Sequence, residues 1–239
     1  VSYREGLSEA EVFGDGLSSS DNSMRQRAVD ATVRTVELAR AIGARGVVIH
    51  AGIVEVENAR QKQVEARRLY KAGRHKETRD AMAVHMVARN RLAPRAVETA
   101  AGSLAEVFQR VGDYPLALES RINYDGMPQP GELAFIMAVL AERPVYYWHD
   151  VGHTVVSEIL GLASALSWLE TFGKKLFGMH LHDVRKAHDH TIPGTGEVDF
   201  AALAPYVTGD VIKVMEIPGT YSAGQLQAGR AHLEACGIA

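Results

Sequence analysis

Acidic and histidine side chains recur along this chain at nearly regular intervals. Glu119, Asp150, His180 and Glu216 are separated by 31, 30 and 36 residues, and each stands at or near the end of a short apolar run. His50 ends another such run nearer the N-terminus. Three carboxylates and one imidazole suit a hard or borderline divalent cation, namely Mn²⁺, Mg²⁺, Co²⁺ or Zn²⁺. Because unpaired carboxylates repel each other at close range, their convergence would predict one bound cation of this kind.

The runs that carry these residues have the pattern of buried parallel strands. They are apolar throughout instead of alternating, as expected when helices cover both faces of a sheet. Helical patterns, with apolar residues three and four positions apart, separate them. The predicted strands cover residues 46–50, 116–119, 145–150, 176–182 and 211–216, and the predicted helices cover 21–42, 131–142, 154–172, 200–206 and 222–236. This alternation predicts an α/β fold.

The spacing of the strands favours a closed barrel over an open sheet. A (β/α)8 TIM barrel of about 250 residues allots about 31 residues to each strand–helix unit. No Gly-x-Gly-x-x-Gly fingerprint follows a strand, which argues against the commonest nucleotide-binding open sheet. The C-terminal ends of barrel strands meet at one mouth, where catalytic groups lie. We therefore predict a single TIM-barrel domain over residues 1–239, with its site at that mouth.

The interval between His50 and Glu119 is about twice as long as one unit and contains only helical patterns, at 59–72, 76–90 and 94–111. We interpret it as one ordinary helix and an inserted helical hairpin at about 54–95. This insert holds 11 Lys/Arg and 5 Asp/Glu, a local net charge of +6, so the rest of the chain sums to −9. Its interleaved apolar residues indicate packing on itself or on a partner subunit, which leaves a homo-oligomer open.

The number of strands falls short of a complete barrel. Six strand ends can be found, counting residues 1–3 as the remnant of one, whereas a closed barrel needs eight. An open barrel would leave two strand edges unpaired, and the sequence begins without Met. We expect that about two N-terminal units, on the order of 60 residues, are lacking from this sequence.

Composition narrows the class of protein. A hydrophobic content of 46% and a charged content of 23% are typical of a globular chain rather than a disordered one. No apolar run approaches the roughly 18 residues of a membrane span, and no signal-peptide pattern begins the sequence, so a cytoplasmic protein is predicted. A single cysteine, Cys236, rules out an internal disulfide and a cysteine-based zinc site.

Six short motifs give the chain a family resemblance. The segments VVIHAG, LALES, HDVGH, MHLHDV, HDHTIPGTGEVDF and VMEIP occur in this order. In order and spacing they resemble the xylose-isomerase-like barrel superfamily, which includes sugar-phosphate isomerases and epimerases and the apurinic endonucleases. The resemblance covers the chain from about Leu17 onward, apart from the insert. It is specific for the superfamily and far less specific for the substrate.

The resemblance implies that Glu119, Asp150, His180 and Glu216 hold one catalytic metal ion. Glu119 and Glu216 would also form the proton-transfer pair on opposite faces of the substrate. A metal bound to a ketose carbonyl and its neighbouring hydroxyl acidifies the C–H between them, and proton transfer then proceeds through an enediolate. The implied activity is isomerisation or epimerisation of a small sugar or sugar phosphate.

Residues around this set are expected to bind substrate. His153 resembles the histidine that contacts a substrate oxygen, and His50 and Arg185 are further candidates. His182 is expected to support the site from behind, and Asp183 to orient a histidine.

The endonuclease branch supplies an alternative function, a metal-dependent phosphodiesterase with a multi-zinc site. His50, His153 and His190 would then bind additional zinc ions, and His188 stands where that branch has an acid. The basic insert could contact DNA, but the acidic remainder of the domain makes nucleic acid the weaker expectation. A third hypothesis, a non-catalytic barrel whose insert mediates assembly, predicts no bound metal and is disfavoured by the retained ligand set.

Overall fold

The computed structural model describes residues 15–238, which form two compact units. The first unit contains residues 15–57, Val87–Arg121 and Asp125–Tyr146; the second contains Asn58–Met86, Ile122–Tyr124 and residues 147–238. The strand remnant predicted at residues 1–3 lies outside the described residues. Within the described part of the chain, no helix is both long and apolar enough to cross a membrane.

Helices and strands alternate along the chain, as the α/β pattern predicts. The α-helices are α1 (Asn22–Ala41), α2 (Ala59–Lys71), α3 (His75–Val111), α4 (Pro130–Val139), α5 (Val151–Ile159), α6 (Ala165–Phe172), α7 (Phe200–Leu203) and α8 (Ala223–Ala235). The strands are β1 (Val47–Ile49), β2 (Gly52–Ile53), β3 (Leu116–Glu119), β4 (Gly126–Met127), β5 (Val145–Asp150), β6 (Leu176–His180), β7 (Asp183–Arg185), β8 (His188–Thr191) and β9 (Ile212–Val214).

In the first unit, two parallel strands are covered by helix α1. β1 and β3 pair from Val47 with Leu116 to Ile49 with Leu118. Helix α1 begins where the Asp21 carboxylate accepts the backbone N–H groups of Ser23 and Met24, which would otherwise lack partners. Its buried side chains recur at the three- and four-residue spacing of an amphipathic helix: Ala28, Val29, Val33, Val36 and Ala39. The predicted helix over 21–42 is therefore confirmed.

In the second unit, three parallel strands bring their C-terminal ends into register. Asp150 at the end of β5 pairs with His180 at the end of β6, and His180 pairs with Val214 at the end of β9. Gly178 on β6 is required by packing, because a side chain there would collide with the indole of Trp148. This register places the polar residues that end β5 and β6 side by side.

Two predicted helix boundaries are wrong. The helices expected at 76–90 and 94–111 are one helix, α3, which continues through Pro94. A proline removes one hydrogen bond, at a cost of about 3 kcal/mol, but burial of Ala93 and Val97 beside it favours continuation. Conversely, the helix expected at 154–172 is split into α5 and α6. The chain turns at Gly161, whose φ is +84°, and Glu158 caps the new helix by accepting the Ala165 N–H at 2.8 Å.

The segment after His182, for which the sequence predicts neither a strand nor a helix, forms a β-hairpin. β7 and β8 pair antiparallel, with Asp183 opposite Thr191 and Arg185 opposite His188. The turn between them holds Lys186 and Ala187 at φ values of +52° and +57°. The hairpin therefore returns the chain toward the strand ends of the second unit.

Candidate metal centre

The ends of β5, β6 and the segment after β9 bring three of the predicted ligands together. The Nδ1 atom of His180 lies 3.3 Å from Oδ2 of Asp150 and 3.2 Å from Oε2 of Glu216. Metal–ligand bonds of about 2.1 Å place adjacent donors of one tetrahedral ion about 3.4 Å apart. Two carboxylates and an imidazole at this spacing therefore fit a borderline divalent cation.

Asp150 is the most enclosed of these donors. Its carboxylate has no solvent exposure, accepts the backbone N–H of His153 at 2.7 Å as the N-cap of α5, and lies 3.0 Å from Nε2 of His182. Burial alone would raise the pKa of Asp150, but His153, His180 and His182 outweigh it and hold the pKa well below its ordinary value. Asp150 is therefore ionised and available as a metal ligand.

His182 holds Asp150 in place from behind, the supporting role that the sequence predicts. Its Nδ1 accepts the backbone N–H of His190 at 2.9 Å, so the proton of the neutral ring resides on Nε2 and is donated to Asp150. The ring is fully buried against Gly152, where a side chain would collide with it. The His182 ring can therefore occupy this position only because residue 152 has no side chain.

The variant Gly152→Ala is expected to bind a divalent metal about 10- to 100-fold more weakly, the usual cost of losing a partner that orients a ligand. The added methyl group would displace the His182 ring from Asp150. Gly224→Ala, in α8 with open space around the added methyl, is the matched control. Titration calorimetry with Mn²⁺ or Zn²⁺ measures both, and equal affinity in Gly152→Ala and the wild type would contradict the supporting role.

A second cluster of possible ligands adjoins the first. Oδ2 of Asp189 lies 2.9 Å from Nδ1 of His190 and 3.9 Å from Nε2 of His153, and these three side chains could hold a metal ion. His188, which stands where the endonuclease branch has an acid, is exposed on β8. The carboxylate of this cluster comes from the next residue, Asp189, because neighbouring residues of a strand point to opposite faces.

The carboxylate of Glu216 lies close to histidines of both clusters. Oε2 of Glu216 lies 3.3 Å from Nε2 of His190 as well as near His180, so one carboxylate faces both groups of donors. Hydrogen bonds with Asp189 and Glu216 raise the pKa of His190 to about 10. Burial opposes ionisation of Asp189, yet the hydrogen bond from His190 and its charge lower the pKa of Asp189 to about 2. A metal ion on His190 would therefore have to displace a firmly held proton.

His50 and Glu119 lie together in the first unit, at the ends of β1 and β3. Nε2 of His50 is 2.9 Å from Oε2 of Glu119 and also contacts the guanidinium of Arg121. Arg121 lies 3.9 Å from the same carboxylate oxygen. The carboxylate requires a proton on Nε2, whereas the guanidinium requires its lone pair, so the two contacts compete for one nitrogen. No pattern in the sequence pointed to Arg121, which follows the strand by two residues.

The structure describes both residues expected to act from the hairpin. Arg185 is exposed on β7, and its role in substrate binding stays a prediction. Asp183 orients no histidine among its described contacts. Its buried carboxylate accepts the backbone N–H of Val184 on β7 and those of Gly194, Gly196 and Val198 in the loop that follows the hairpin, at 2.8–3.0 Å. Asp183 therefore organises that loop.

Comparison with solved structures identifies related folds. The 3-keto-D-glucoside 4-epimerase of E. coli matches with a TM-score of 0.62 and 18% identity, over 93% of this chain and 76% of that chain. L-ribulose 3-epimerase matches with a TM-score of 0.60 and 17% identity, over 95% and 72% of the two chains. Endonuclease IV from Thermus thermophilus matches with a TM-score of 0.58 and 14% identity, over 93% and 72%. At these identities the matches establish a shared fold alone.

Comparison of sequences adds the family. No curated protein matches the chain. The sequence model of one protein family, described as xylose isomerase-like TIM barrel, matches residues 11–236, which is nearly the whole chain. The α/β fold and the TIM-barrel class predicted from strand spacing are thereby confirmed. This chain belongs to the xylose isomerase-like TIM barrel family.

Proposed function

We propose that the protein is a divalent-metal-dependent isomerase or epimerase that moves a proton on a small sugar or sugar phosphate. One observation carries the proposal: Asp150, His180 and Glu216 present donor atoms at the spacing of one metal ion, at the ends of paired parallel strands. Glu119 as the fourth ligand rests on the strand spacing and the family resemblance, and stays a prediction. Mn²⁺, Mg²⁺, Co²⁺ and Zn²⁺ all remain compatible with the donors.

The solvent exposure of each side chain indicates its role at the site. Asp150 is fully buried and suits a purely ligating role, whereas the side chain of Glu216 is 44% exposed and can reach a substrate. A divalent ion at this site would polarise a substrate carbonyl and its adjacent hydroxyl. Glu216 would then exchange a proton with the carbon between them, and Glu119 would serve the opposite face. His153, buried one turn after Asp150, is proposed to contact a substrate oxygen.

Two of the matched structures support this choice of activity, since the proteins described in them are sugar epimerases. The net charge of −3 is also unfavourable for a general affinity toward nucleic acid.

The Glu216→Gln variant is expected to lose exchange of a substrate C–H with solvent deuterium by at least about 100-fold, the lower range for loss of a general base. Proton NMR of candidate ketoses and their phosphates in D₂O measures the exchange. Glu170→Gln, an exposed carboxylate on α6, is the charge-matched control. Exchange retained in Glu216→Gln would remove this residue from the acid–base role.

A second candidate function, a phosphodiesterase of the apurinic-endonuclease type, is favoured by the cluster His153, Asp189 and His190. Together with Glu216, which faces both clusters, it would allow a second ion beside the first. Anomalous scattering at the metal edge discriminates the two functions. One ion bound by Asp150, His180 and Glu216 supports the isomerase. Two or three ions bound by His50, His153 and His190 would contradict the isomerase and support the phosphodiesterase.

A further inference from the structure

Trp148 shares one face of strand β5 with the proposed ligand Asp150. Successive side chains of a strand point to opposite faces, so Tyr147 points to the other side. There the Tyr147 ring stacks on Trp168 of α6, with centroids 5.5 Å apart and an interplanar angle of 11°. Trp148 instead packs against His180, with ring centroids 4.9 Å apart and an interplanar angle of 67°. Its indole therefore contacts a side chain of the candidate metal centre directly.

The indole of Trp148 is enclosed on several sides. It is 3% exposed, and Gly178 stands opposite it on β6. A Cβ atom at residue 178 would lie 2.3 Å from Cζ3 and 2.7 Å from Cη2 of the indole, so only glycine leaves room for the ring. The Phe177 ring packs beside it, with centroids 6.5 Å apart. Because protein interiors are closely packed, an indole enclosed in this way has little freedom to move.

The His180 imidazole needs a neighbour of this kind for its orientation. The carboxylates of Asp150 and Glu216 both lie near the same ring atom, Nδ1, at 3.3 Å and 3.2 Å. Rotation about the last side-chain bond sets the direction of Nδ1, and this torsion is broad for histidine because it joins an sp³ to an sp² carbon. A metal–nitrogen bond of about 2.1 Å tolerates deviations of only about 0.2 Å. The plane of the ring must therefore be fixed by its surroundings.

We propose that Trp148 is a positioning residue of the metal centre: its indole sets the plane of the His180 imidazole and so directs Nδ1 at the bound ion. The inference rests on the metal centre of the proposed function and adds to it a residue that supplies no ligand atom. Metal-binding histidines are usually oriented by a hydrogen bond from the ring. An aromatic contact of defined geometry restrains the ring in a comparable way.

The test is the binding of Mn²⁺ to Trp148→Leu, measured by titration calorimetry. This variant is expected to bind Mn²⁺ about 10- to 100-fold more weakly than the wild type, the usual cost of losing a partner that orients a ligand. Trp148→Phe keeps an aromatic ring beside His180 and should have an intermediate affinity. Trp168→Leu and Trp168→Phe are the matched controls, because Trp168 is the only other tryptophan and is also 3% exposed. Both controls should bind Mn²⁺ as the wild type does.

Cobalt gives a readout that a loss of stability alone would not change. The visible absorption of bound Co²⁺ reports its coordination geometry, so the spectrum of Trp148→Leu should differ from that of the wild type, whereas that of Trp168→Leu should not. The urea unfolding midpoint in chelator measures stability separately. If Trp148→Leu does not fold, Trp148→Phe decides by the same measurements. Wild-type Mn²⁺ affinity and an unchanged Co²⁺ spectrum in the folded Trp148 variants would overturn the assignment.

Fluorescence separates failure of this inference from failure of the proposed function. Trp148 is the only tryptophan left in Trp168→Phe, so Co²⁺ bound at His180 should quench its emission. Absence of quenching would overturn the metal centre and the role of Trp148 together. Quenching, with the expected loss of affinity in Trp148→Leu but no proton exchange on any sugar or sugar phosphate, would contradict the isomerase and support Trp148 as a positioning residue.

Discussion

The Asp150→Asn variant is expected to lose at least about 100-fold in divalent-metal affinity, and proton exchange on sugars with it. Changing a partner that merely orients a ligand costs about 10- to 100-fold, so loss of the anionic ligand itself should cost at least as much. Asn keeps the shape of the side chain and is as good an N-cap as Asp, so helix α5 retains its first hydrogen bond. Calorimetric titration with Mn²⁺ and Zn²⁺, paired with a proton-exchange assay, measures the result.

The design separates loss of the ligand from loss of the fold. His182 can still donate its Nε2 proton to the amide oxygen of an asparagine, so the buried network keeps its partner. The urea unfolding midpoint of the variant in chelator should therefore be close to that of the wild type. Glu170→Gln removes the same charge at the surface and should leave metal affinity unchanged. Wild-type affinity in Asp150→Asn would exclude this residue as a ligand.

Strand ends could be predicted from the sequence because their signal is local and repeated. Short apolar runs of even spacing predict parallel strands, and the residue that ends a strand must lie at the rim of the sheet. This reasoning placed Asp150 and His180 side by side, as their pairing between β5 and β6 bears out. The role of these residues as metal ligands stays a prediction, since it depends on an ion as well as on the chain.

The hairpin after β6 was missed because its turn lacks the usual residues. Two-residue hairpins favour Asn-Gly or Gly at positions of positive φ, whereas this turn uses Lys186 and Ala187. When a hairpin is not recognised in the sequence, it also cannot be predicted which side chains of its strands point toward the site. Asp189, whose carboxylate lies 2.9 Å from Nδ1 of His190, was accordingly not among the predicted site residues.

The packing of helix α2 could not be predicted for a different reason. Eleven basic residues crowd the insert, and composition alone describes them as a solvated surface. Which of them is shielded depends on the way α2 packs, and that packing is set by Gln63, whose two backbone contacts are specific to the folded chain. Tertiary contacts of this kind have no periodic signature in the sequence.

The Glu132→Gln variant is expected to lose about 3 kcal/mol of unfolding free energy, because it leaves a buried charge without its counterion. Arg89 on α3 is the buried partner: its side chain is 1% exposed, and its guanidinium contacts both carboxylate oxygens of Glu132 and the carbonyl of Gly126. Gln preserves the capping box through which residue 132 accepts the N–H of Gln129, so α4 should still begin at Pro130. Urea unfolding followed by circular dichroism measures the loss.

A double variant separates the value of the ion pair from the cost of breaking it. Arg89→Met with Glu132→Gln removes both charges, and the loss should fall below that of Glu132→Gln alone, because no buried charge remains without a partner. Glu37→Gln on the exposed face of α1 is the control for carboxylate loss and should change stability by less than about 0.5 kcal/mol. If Glu132→Gln were as mild as this control, the buried guanidinium would have to be satisfied by solvent, and the pair would not anchor α3 to α4 in the first unit.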